Sequence, residues 1–577
     1  MEEQTRSGLG WQVKAAVIAV LVYLGIVFSL YMRLKHLPGP YYGGDLYAHH
    51  GFALNYLANG FWSDPYFVGH YSFYPWLGNY VFILLSFLPG VTLLRAEMFV
   101  GLVTTVLSAI AYYFLGKQLF KNDTWALVLM LLSLVVRGIP DGAPNLLPWM
   151  ITIPLWFGFW LKAEETGRLR DKALAGLFMG ATALSHVAFF LAGMALFAFT
   201  IVIETLLQKD KKAAVAGAFR LYVPMLLVGF AVSLLFYGPI IVNYHAKSLN
   251  PLFQYNGTDI DLLGIGWVFS TLFKSTFNFS SLTYAAMSIL SVVGLVVCIM
   301  NFGKKAPRYA VLWYIAGTLA PMHHFITKPL LGRWILPSHV WAISLSLLIF
   351  AVYGIRAVEQ ILAKKWPDEN AQKIILAGVL VLVVALFIQR YGEYRADRWK
   401  QFGEQFDPTT QAWFSLGKWM QQNTGINDVV LAHDETCFAM NGLTGRKCVF
   451  VRRTHANYFV DVEKRYADGI VMLYGNNSGL IEKLLDEYDV DYVLLDAYMQ
   501  QQPVLVDPRF EQYLSENNVT FSKIRERKDP SVPNAKVFDL LAVPFQPVSK
   551  ALESRMSIVT SANIGTQPYL QLYRINR

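Results

Sequence analysis

Long apolar runs follow one another with short polar breaks from about residue 11 to residue 390. Runs of this length and composition are typical of membrane-spanning helices. After residue 390 the pattern changes to mixed sequence in which strand-like and helical stretches alternate, and this alternation favours an α/β domain. The pattern therefore predicts a polytopic α-helical membrane protein with about 11 transmembrane helices in residues 1–390 and an α/β domain in residues 391–577.

Approximate bounds follow from the same pattern. The predicted spans are 11–32, 96–116, 124–138, 145–161, 173–186, 187–207, 220–240, 284–302, 309–322, 334–355 and 374–390. In the C-terminal domain, strands are predicted over 428–432, 448–451, 491–495 and 536–541, and helices over 410–422 and 479–488.

The positions of the basic residues predict the orientation in the membrane. Lysines and arginines cluster in several of the short breaks, and such clusters mark the cytoplasmic side. Successive clusters must then be separated by an even number of spans. The apolar stretch 76–94 does not fit this parity, so we interpret it as an interfacial or re-entrant segment. A long first outer loop, 33–95, and the C-terminal domain are then extracytoplasmic, in a multi-pass protein of the plasma membrane.

Composition excludes several classes of protein. The 577 residues are 55% hydrophobic and only 15% charged, whereas a soluble domain carries roughly a quarter of charged residues. The net charge of +9 comes from clusters between apolar runs, which is a topology pattern and not a nucleic-acid-binding face. Three cysteines are too few for a disulfide scaffold.

The cysteines nevertheless allow one specific prediction. Cys437 and Cys448 are placed to face each other across a hairpin around Gly442 and Gly445, and we predict a disulfide between them. Cys298 lies in a predicted span and is expected to be inert.

Two acids stand in the predicted outer loops. Residues 45–59 form a short amphipathic pattern that ends at Gly60, and on such a helix Asp45 and His49 lie one turn apart on one face. Asp141 lies in the short loop 137–145. A carboxylate at a membrane surface can deprotonate an alcohol or, with a second acid, hold a divalent cation. The structural alternatives are a helix cap for Asp45, a turn for Asp141 and a packed interfacial ring for His49.

An ordered set of features follows Asp45. Asn59 and Gly60 close the helix, Tyr74 and Pro75 precede the near-membrane stretch, Arg95 opens the next span, and the sequence YFLGKQLF lies at a cytoplasmic turn before Asp141. This order resembles the GT-C superfamily of integral-membrane glycosyltransferases. The superfamily includes protein O-mannosyltransferases, aminoarabinose transferases and oligosaccharyltransferase catalytic subunits. The resemblance covers residues 11–207 best and the remainder in architecture.

The resemblance implies a reaction and a set of site residues. It implies an inverting hexosyl- or pentosyltransferase that moves a sugar from a polyprenyl phosphate to a hydroxyl of a glycan, lipid or protein. Asp45 matches the first-loop catalytic acid and Asp141 the second-loop acid. The outer sequence GRWILP around Arg333 resembles the late arginine that contacts a lipid-linked phosphate, and its alternative is an interfacial anchor. The further substrate-binding candidates are His49, Tyr74, His323, His324 and Lys328.

Departures from the family pattern narrow these implications. Asp141 has no second acid beside it, so an Mg²⁺ or Mn²⁺ ion bound by Asp45 and Asp141 remains an option and not a requirement. The C-terminal domain lacks the WWDYG signature, which argues against transfer of whole oligosaccharides to protein asparagine. The remaining alternatives are a polymerase or ligase of lipid-linked glycans, a lipid or polysaccharide transporter with an accessory domain, and a non-catalytic scaffold.

Overall fold

The structure is a computed structural model. It describes residues 11–31, 39–40, 44–136, 147–245, 249, 270, 273–274, 276–319, 342–366, 368–401, 407–501, 504–528, 536–542 and 548–576.

Each of the eleven predicted spans overlaps a helix of the described ranges. Parts of five predicted spans lie outside the described residues, namely 11–32, 124–138, 145–161, 309–322 and 334–355. The helices that the spans overlap are α1 (Trp11–Tyr31), α4 (Leu93–Phe120), α5 (Asp123–Val136), α6 (Ile153–Thr166, after a π turn at Pro148–Thr152), α7 (Leu169–Ser185), α8 (Val187–Leu207), α9 (Lys211–Tyr244), α10 (Leu282–Met300), α11 (Lys305–Leu319), α12 (Ala342–Ala363) and α13 (Asp368–Gln401). Five of them, α4, α8, α9, α10 and α12, are long and apolar enough to cross a membrane. The number of spans therefore stays a prediction.

Two shorter helices lie between α1 and α4. The amphipathic pattern at residues 45–59 forms α2 (Asp45–Asn59), which ends at Gly60 as predicted. The stretch interpreted as interfacial contains α3 (Leu77–Ser86). Ten residues of helix extend about 15 Å, only half of a bilayer core of about 30 Å, so α3 is too short to span.

Small residues bring two long helices together. A β-carbon on Gly294 of α10 would lie 1.7 Å from the backbone oxygen of Phe350 in α12, and one on Gly354 of α12 would lie 2.1 Å from the oxygen of Leu290. The two backbones therefore touch where each helix has no side chain. This is the usual way in which helices associate in lipid, where apolar contact gives no preference for protein over hydrocarbon.

Two prolines, Pro224 and Pro239, lie inside the continuous helix α9. Side chains from outside the helix donate to the two backbone carbonyls that the prolines leave without a helical hydrogen bond. Proline has no N–H, so each leaves the carbonyl four residues earlier without its helical donor. For Pro224 this carbonyl is that of Arg220, which accepts from Nζ of Lys172 in α7 at 2.9 Å. For Pro239 it is that of Leu235, which accepts from the indole N–H of Trp62 at 2.7 Å.

The C-terminal domain is α/β, as predicted. Its helices are α14 (Pro408–Asn423), α15 (Asp434–Thr444), α16 (Val462–Tyr474), α17 (Ser478–Glu487), α18 (Glu511–Glu516) and α19 (Lys550–Glu553). Its strands are β1 (Val429–Leu431), β2 (Lys447–Cys448), β3 (Val490–Asp496), β4 (Val504–Val506), β5 (Phe521–Lys528), β6 (Lys536–Ala542), β7 (Met556–Ile564) and β8 (Gln567–Ile575). One sheet has the order β2-β1-β3-β8-β7, with β2, β1 and β3 parallel, and the other has the order β4-β6-β5.

The predicted hairpin and disulfide are wrong. Helix α15 connects β1 to β2, which makes the two strands parallel neighbours, and Gly445 ends that helix with a φ of 72°. Cys437 and Cys448 are buried free thiols, and the Cys448 thiol lies 3.5 Å from the backbone oxygen of Cys437. The prediction failed because the residues around Gly442 are helical and not a turn.

The buried apolar residues form two large clusters. One lies among the long helices and includes Trp156, Trp160 and Trp313. The other joins residues of 44–92, hereafter the loop segment, to the C-terminal domain, so that Phe52 and Tyr66 share a core with Trp413 and Phe450. The loop segment therefore packs as part of the C-terminal domain, although some 300 residues separate them in sequence.

The α10–α12 crossing predicts an unusual cost for a single methyl group. Glycine to alanine inside a helix ordinarily stabilises by about 0.5–1 kcal/mol. Gly294→Ala should instead lower the thermal unfolding midpoint of the purified protein, because the new methyl group meets the Phe350 carbonyl. Gly378→Ala in α13, which has open space around it, is the matched control and should not lower it. Equal midpoints for the two variants would contradict the close approach.

Candidate functional site

The loop segment and the C-terminal domain meet where two helices cross. A β-carbon on Gly51 of α2 would lie 2.7 Å from the backbone oxygen of Asn441 in α15, and one on Gly442 would lie 2.8 Å from Cβ of Tyr47. The missing side chains let α2 and α15 approach closely. The amino end of α2, which carries Asp45, is thereby held against the C-terminal domain.

Buried polar groups strengthen this junction. Lys447 is 1% exposed and donates from Nζ to Oδ1 of Asn55 at 2.6 Å and to the backbone oxygen of Asp64. The buried Asp64 carboxylate accepts from two backbone N–H groups of the following turn and from Nδ2 of Asn457 at 2.6 Å. Burial lowers the pKa of Lys447 to about 8 and raises that of Asp64. Such groups are tolerated in a core only when they are paired.

Asp45 begins α2, but it does not cap the helix. The capping position is Gly44, whose φ of 52° lies in the left-handed region that favours glycine. The Asp45 carboxylate is 55% exposed, and its Oδ1 accepts from Nε2 of His455 at 3.0 Å. The sequence alternative of a simple helix cap is therefore not what the structure has. Asp45 presents a half-open carboxylate at the junction of the two parts.

His455 comes from a short 3₁₀ turn of the C-terminal domain, Arg453–His455. Its ring packs on Phe438 of α15, with centroids 4.9 Å apart. The Arg452 guanidinium lies 3.9 Å from the centroid of the same Phe438 ring, and its Nε donates to Glu435 at 2.8 Å. The Phe438 ring therefore holds both His455 and the Arg452 guanidinium near Asp45.

The surroundings of Asp45 keep it ionised. The hydrogen bond from His455 is the largest influence and outweighs the effect of burial, and the electrostatic effects of His49, His455 and Arg452 act in the same direction. Together they lower the pKa of Asp45 to about 2. At neutral pH Asp45 is a carboxylate that can accept a proton or a hydrogen bond but cannot donate one.

His49 lies one turn further along α2, as predicted, and it is buried. Its Nδ1 lies 2.9 Å from Oδ1 of Asn79 in α3. An amide oxygen only accepts hydrogen bonds, so Nδ1 carries the proton in this arrangement. Burial lowers the pKa of His49 to about 4, and the ring is neutral at physiological pH.

Tyr74 links His49 to the helix bundle. Its ring contacts His49 edge-on with centroids 5.1 Å apart, and it also contacts His186 edge-on with centroids 6.0 Å apart. His186 lies at the break between α7 and α8, where Nδ1 accepts from the backbone N–H of Ala188. Asp45, His49 and Tyr74 were predicted from the sequence, and the structure brings the three together.

Several predicted residues lie outside the described residues. They are Asp141, His323, His324, Lys328 and Arg333, and their predicted roles remain predictions. The same holds for a cation bound by Asp45 and Asp141. Within the described part of the chain, no cluster of three or more His, Cys, Asp or Glu side chains could hold a metal ion.

The sequence analysis missed the contribution of the C-terminal domain. Arg452 and His455 belong to the short sequence RRTH, which directly follows the predicted strand 448–451. A basic stretch after a strand was the available signal, but nothing in the sequence linked it to Asp45. It also missed Glu97, which is buried in α4 with Oε2 3.4 Å from Nδ1 of His50.

Solved structures resemble this fold over nearly the whole chain. The Archaeoglobus fulgidus oligosaccharyltransferase aligns with 96% of this chain and 80% of its own, at 14% identity and a TM-score of 0.55. The arabinofuranosyltransferase AftD from Mycobacteria aligns with 99% of this chain and 40% of its own, at 13% identity and a TM-score of 0.52. The chain shares the overall fold of these two glycosyltransferase structures. No family model and no curated protein matches it in sequence.

The shared fold agrees with the GT-C resemblance inferred from Asp45 and the features that follow it. At such low sequence identity the likeness concerns the fold, and the chemistry has to be argued from the residues themselves. For Asp45 these residues are the histidine that holds it and the exposed face that remains open.

The two acids of the loop segment should differ sharply in their effect on stability. Asp64→Ala leaves two buried backbone N–H groups without an acceptor, takes one of the two acceptors of Asn457 Nδ2 and removes the charge beside buried Lys447, and it should cost about 3–5 kcal/mol of unfolding free energy. Asp45→Ala removes a half-exposed pair and should cost at most about 1 kcal/mol. Chemical denaturation of both variants in detergent measures the difference. Similar losses would mean that Asp45 also serves the fold.

Proposed function

We propose that this protein is a membrane glycosyltransferase that moves a sugar from a polyprenyl-phosphate donor to an acceptor hydroxyl, with Asp45 as the general base. The observation that carries the proposal is the state of Asp45. It is ionised, half exposed and held by His455 at the junction of the loop segment and the C-terminal domain. The GT-C fold supports the same reaction class.

The reaction is a single displacement at the anomeric carbon. The acceptor oxygen attacks that carbon while its proton passes to Asp45, a new carbon–oxygen bond forms, and the bond to the donor phosphate breaks with its electron pair on the phosphate. Attack from the side opposite the leaving group inverts the configuration. The phosphate leaves as an anion and needs no general acid, only cations nearby.

Residues around Asp45 have distinct tasks in this proposal. His455 orients the carboxylate by donating to one of its oxygens, so that the other oxygen can face the acceptor. Neutral His49 is buried and packs edge-on against the Tyr74 ring, and we propose that the partly exposed Tyr74 ring is the surface against which a sugar ring packs. Arg333, Lys328, His323 and His324 are proposed as the cations for the donor phosphate, on the strength of the sequence alone.

The orientation in the membrane belongs to the proposal as well. We place Asp45 and the C-terminal domain on the extracytoplasmic side of the plasma membrane, since the basic clusters of the chain lie at the other ends of the helices. A polyprenyl phosphate with its tail in lipid presents its sugar at that surface. The donor can then reach Asp45 without leaving the bilayer.

The donor and the acceptor define the nearest rival activities. The archaeal oligosaccharyltransferase has been solved with a tethered acceptor peptide, but the present chain lacks the WWDYG signature. Purified protein in nanodiscs should transfer label from a monosaccharide polyprenyl phosphate. Transfer only from lipid-linked oligosaccharides would favour a polymerase or ligase. Movement of the labelled lipid across the bilayer without a new glycosidic bond would favour a transporter.

Neutralising Asp45 should abolish the transfer. General-base catalysis contributes about 10²–10⁴-fold, so Asp45→Asn should lower kcat by that factor while the donor still binds. Asp461→Asn is the control, because this exposed acid caps α16 in the C-terminal domain and asparagine caps equally well. Asp461→Asn should retain full activity. An active Asp45→Asn enzyme would exclude Asp45 as the base.

The link to His455 predicts a change in the pH profile. In the wild type, the ionised form of Asp45 is lost only as the pH falls through about 2. Without the histidine, its pKa should return towards the ordinary aspartate value of about 3.9. The ratio of kcat/KM between His455→Ala and wild type should therefore fall by about half near pH 4 relative to pH 7. A ratio independent of pH would show that His455 does not act through Asp45.

A further inference from the structure

A basic cavity lies at the end of the helix bundle opposite Asp45. Its volume is about 310 Å³, and it is enclosed by the end of α4, the α10–α11 connection and α12. Helix α4 begins next to the loop segment and is 28 residues long, which separates its two ends by about 42 Å. The cavity is therefore remote from the proposed active site.

Two cations line this cavity, and no acid does. Lys304 lies on the α10–α11 connection and Arg356 on α12, with the amides of Asn301 and Gln360 beside them. Within the described ranges neither cation forms a salt bridge. Some of the other basic side chains at this end of the bundle are paired with acids, for example Lys117 with Asp123 at 2.8 Å.

A neighbouring cavity differs in how its cations are paired. It is larger, about 870 Å³, and is also lined by two cations of α11, Lys305 and Arg308. Both are already paired, Lys305 with Glu164 at 2.6 Å and Arg308 with Glu204, and a third cation of the lining, Lys209, lies beside Asp210 in the sequence. The larger cavity thus carries three acids among its cations, whereas the lining of the smaller one has two cations and no acid.

The shape and surroundings of the smaller cavity favour a lipid. One wall is apolar and includes Phe120 and Val297. Beside it, the outer face of α10 exposes Val296, Ile299 and Met300, by 51–80%, which is where acyl chains would lie. A phosphate fits two cations and two amide donors, and basic pockets between spanning helices accept anionic head groups.

We propose that this cavity binds the phosphate head group of an anionic phospholipid, with Arg356 and Lys304 holding the phosphate and the acyl chains lying along α10. The site does not depend on the transferase activity proposed above. It would tie the far ends of α4, α10, α11 and α12 to the leaflet that contains the lipid.

Titration of phosphatidylglycerol into delipidated full-length protein in neutral detergent, followed by native mass spectrometry, tests the proposal. One phosphatidylglycerol should bind saturably and more tightly than phosphatidylcholine. Replacing Lys304 and Arg356 together by glutamine should weaken binding about tenfold or more, since each lost contact is a charge-assisted hydrogen bond. The unfolding midpoint without lipid checks that this variant folds. If it does not fold, Lys304→Gln alone is used, because that side chain is exposed.

The control variant removes one lysine and one arginine from a part of the chain outside the cavity. Arg170 and Lys212 are exposed in other basic clusters of the chain, and their joint replacement by glutamine should leave binding unchanged. An equal loss in both double variants would overturn the proposal in favour of diffuse attraction to charge. Full displacement of the lipid by millimolar inorganic phosphate would overturn it in favour of a soluble anion. Equal affinity for phosphatidylcholine would overturn the selectivity for anionic lipid.

Discussion

The junction between the loop segment and the C-terminal domain is the constraint on which the candidate site depends. Gly51 and Gly442 let two helices touch, and Lys447 and the Asp64 carboxylate are buried there with partners from both parts. Removing either partner would leave a charge in a dry core, so the two parts separate only at a high energetic cost. Asp45 and His455 belong to different parts and can meet only because this junction is closed.

Much of the fold could be predicted from the pattern of apolar residues. The eleven predicted spans overlap helices of the described ranges because runs of apolar residues leave the backbone few alternatives in a membrane. The α2 bounds followed from Asp45 and Gly60. The residues around Gly442 and Gly445 were misinterpreted as a hairpin because glycines in a sequence usually indicate a turn. In the structure Gly442 lies inside α15, and its missing side chain allows the close approach of α2.

The candidate site was only half predictable. Asp45, His49 and Tyr74 are close together in sequence, and helical periodicity is enough to place the first two on one face. His455 is 410 residues away from Asp45, and its contact depends on how a parallel sheet and α15 present a short turn. Local sequence patterns do not indicate contacts between residues that lie so far apart in the chain. Glu97 was missed because a lone acid at the start of a span resembles an interfacial residue.

The contact between Trp62 and Leu235 has a mechanical consequence. Pro239 removes the N–H that would normally cover the Leu235 carbonyl, and the indole supplies the missing donor from outside the helix. Moving residues 44–92 away would leave the Leu235 carbonyl without its donor, which costs free energy unless water takes the place of the indole. If the loop segment moves relative to the helix bundle, either α9 moves with it or a water molecule replaces Trp62 as the donor to Leu235. The hydrogen bond lost at Pro239 of α9 thus lets Trp62 link the loop segment to the helix bundle.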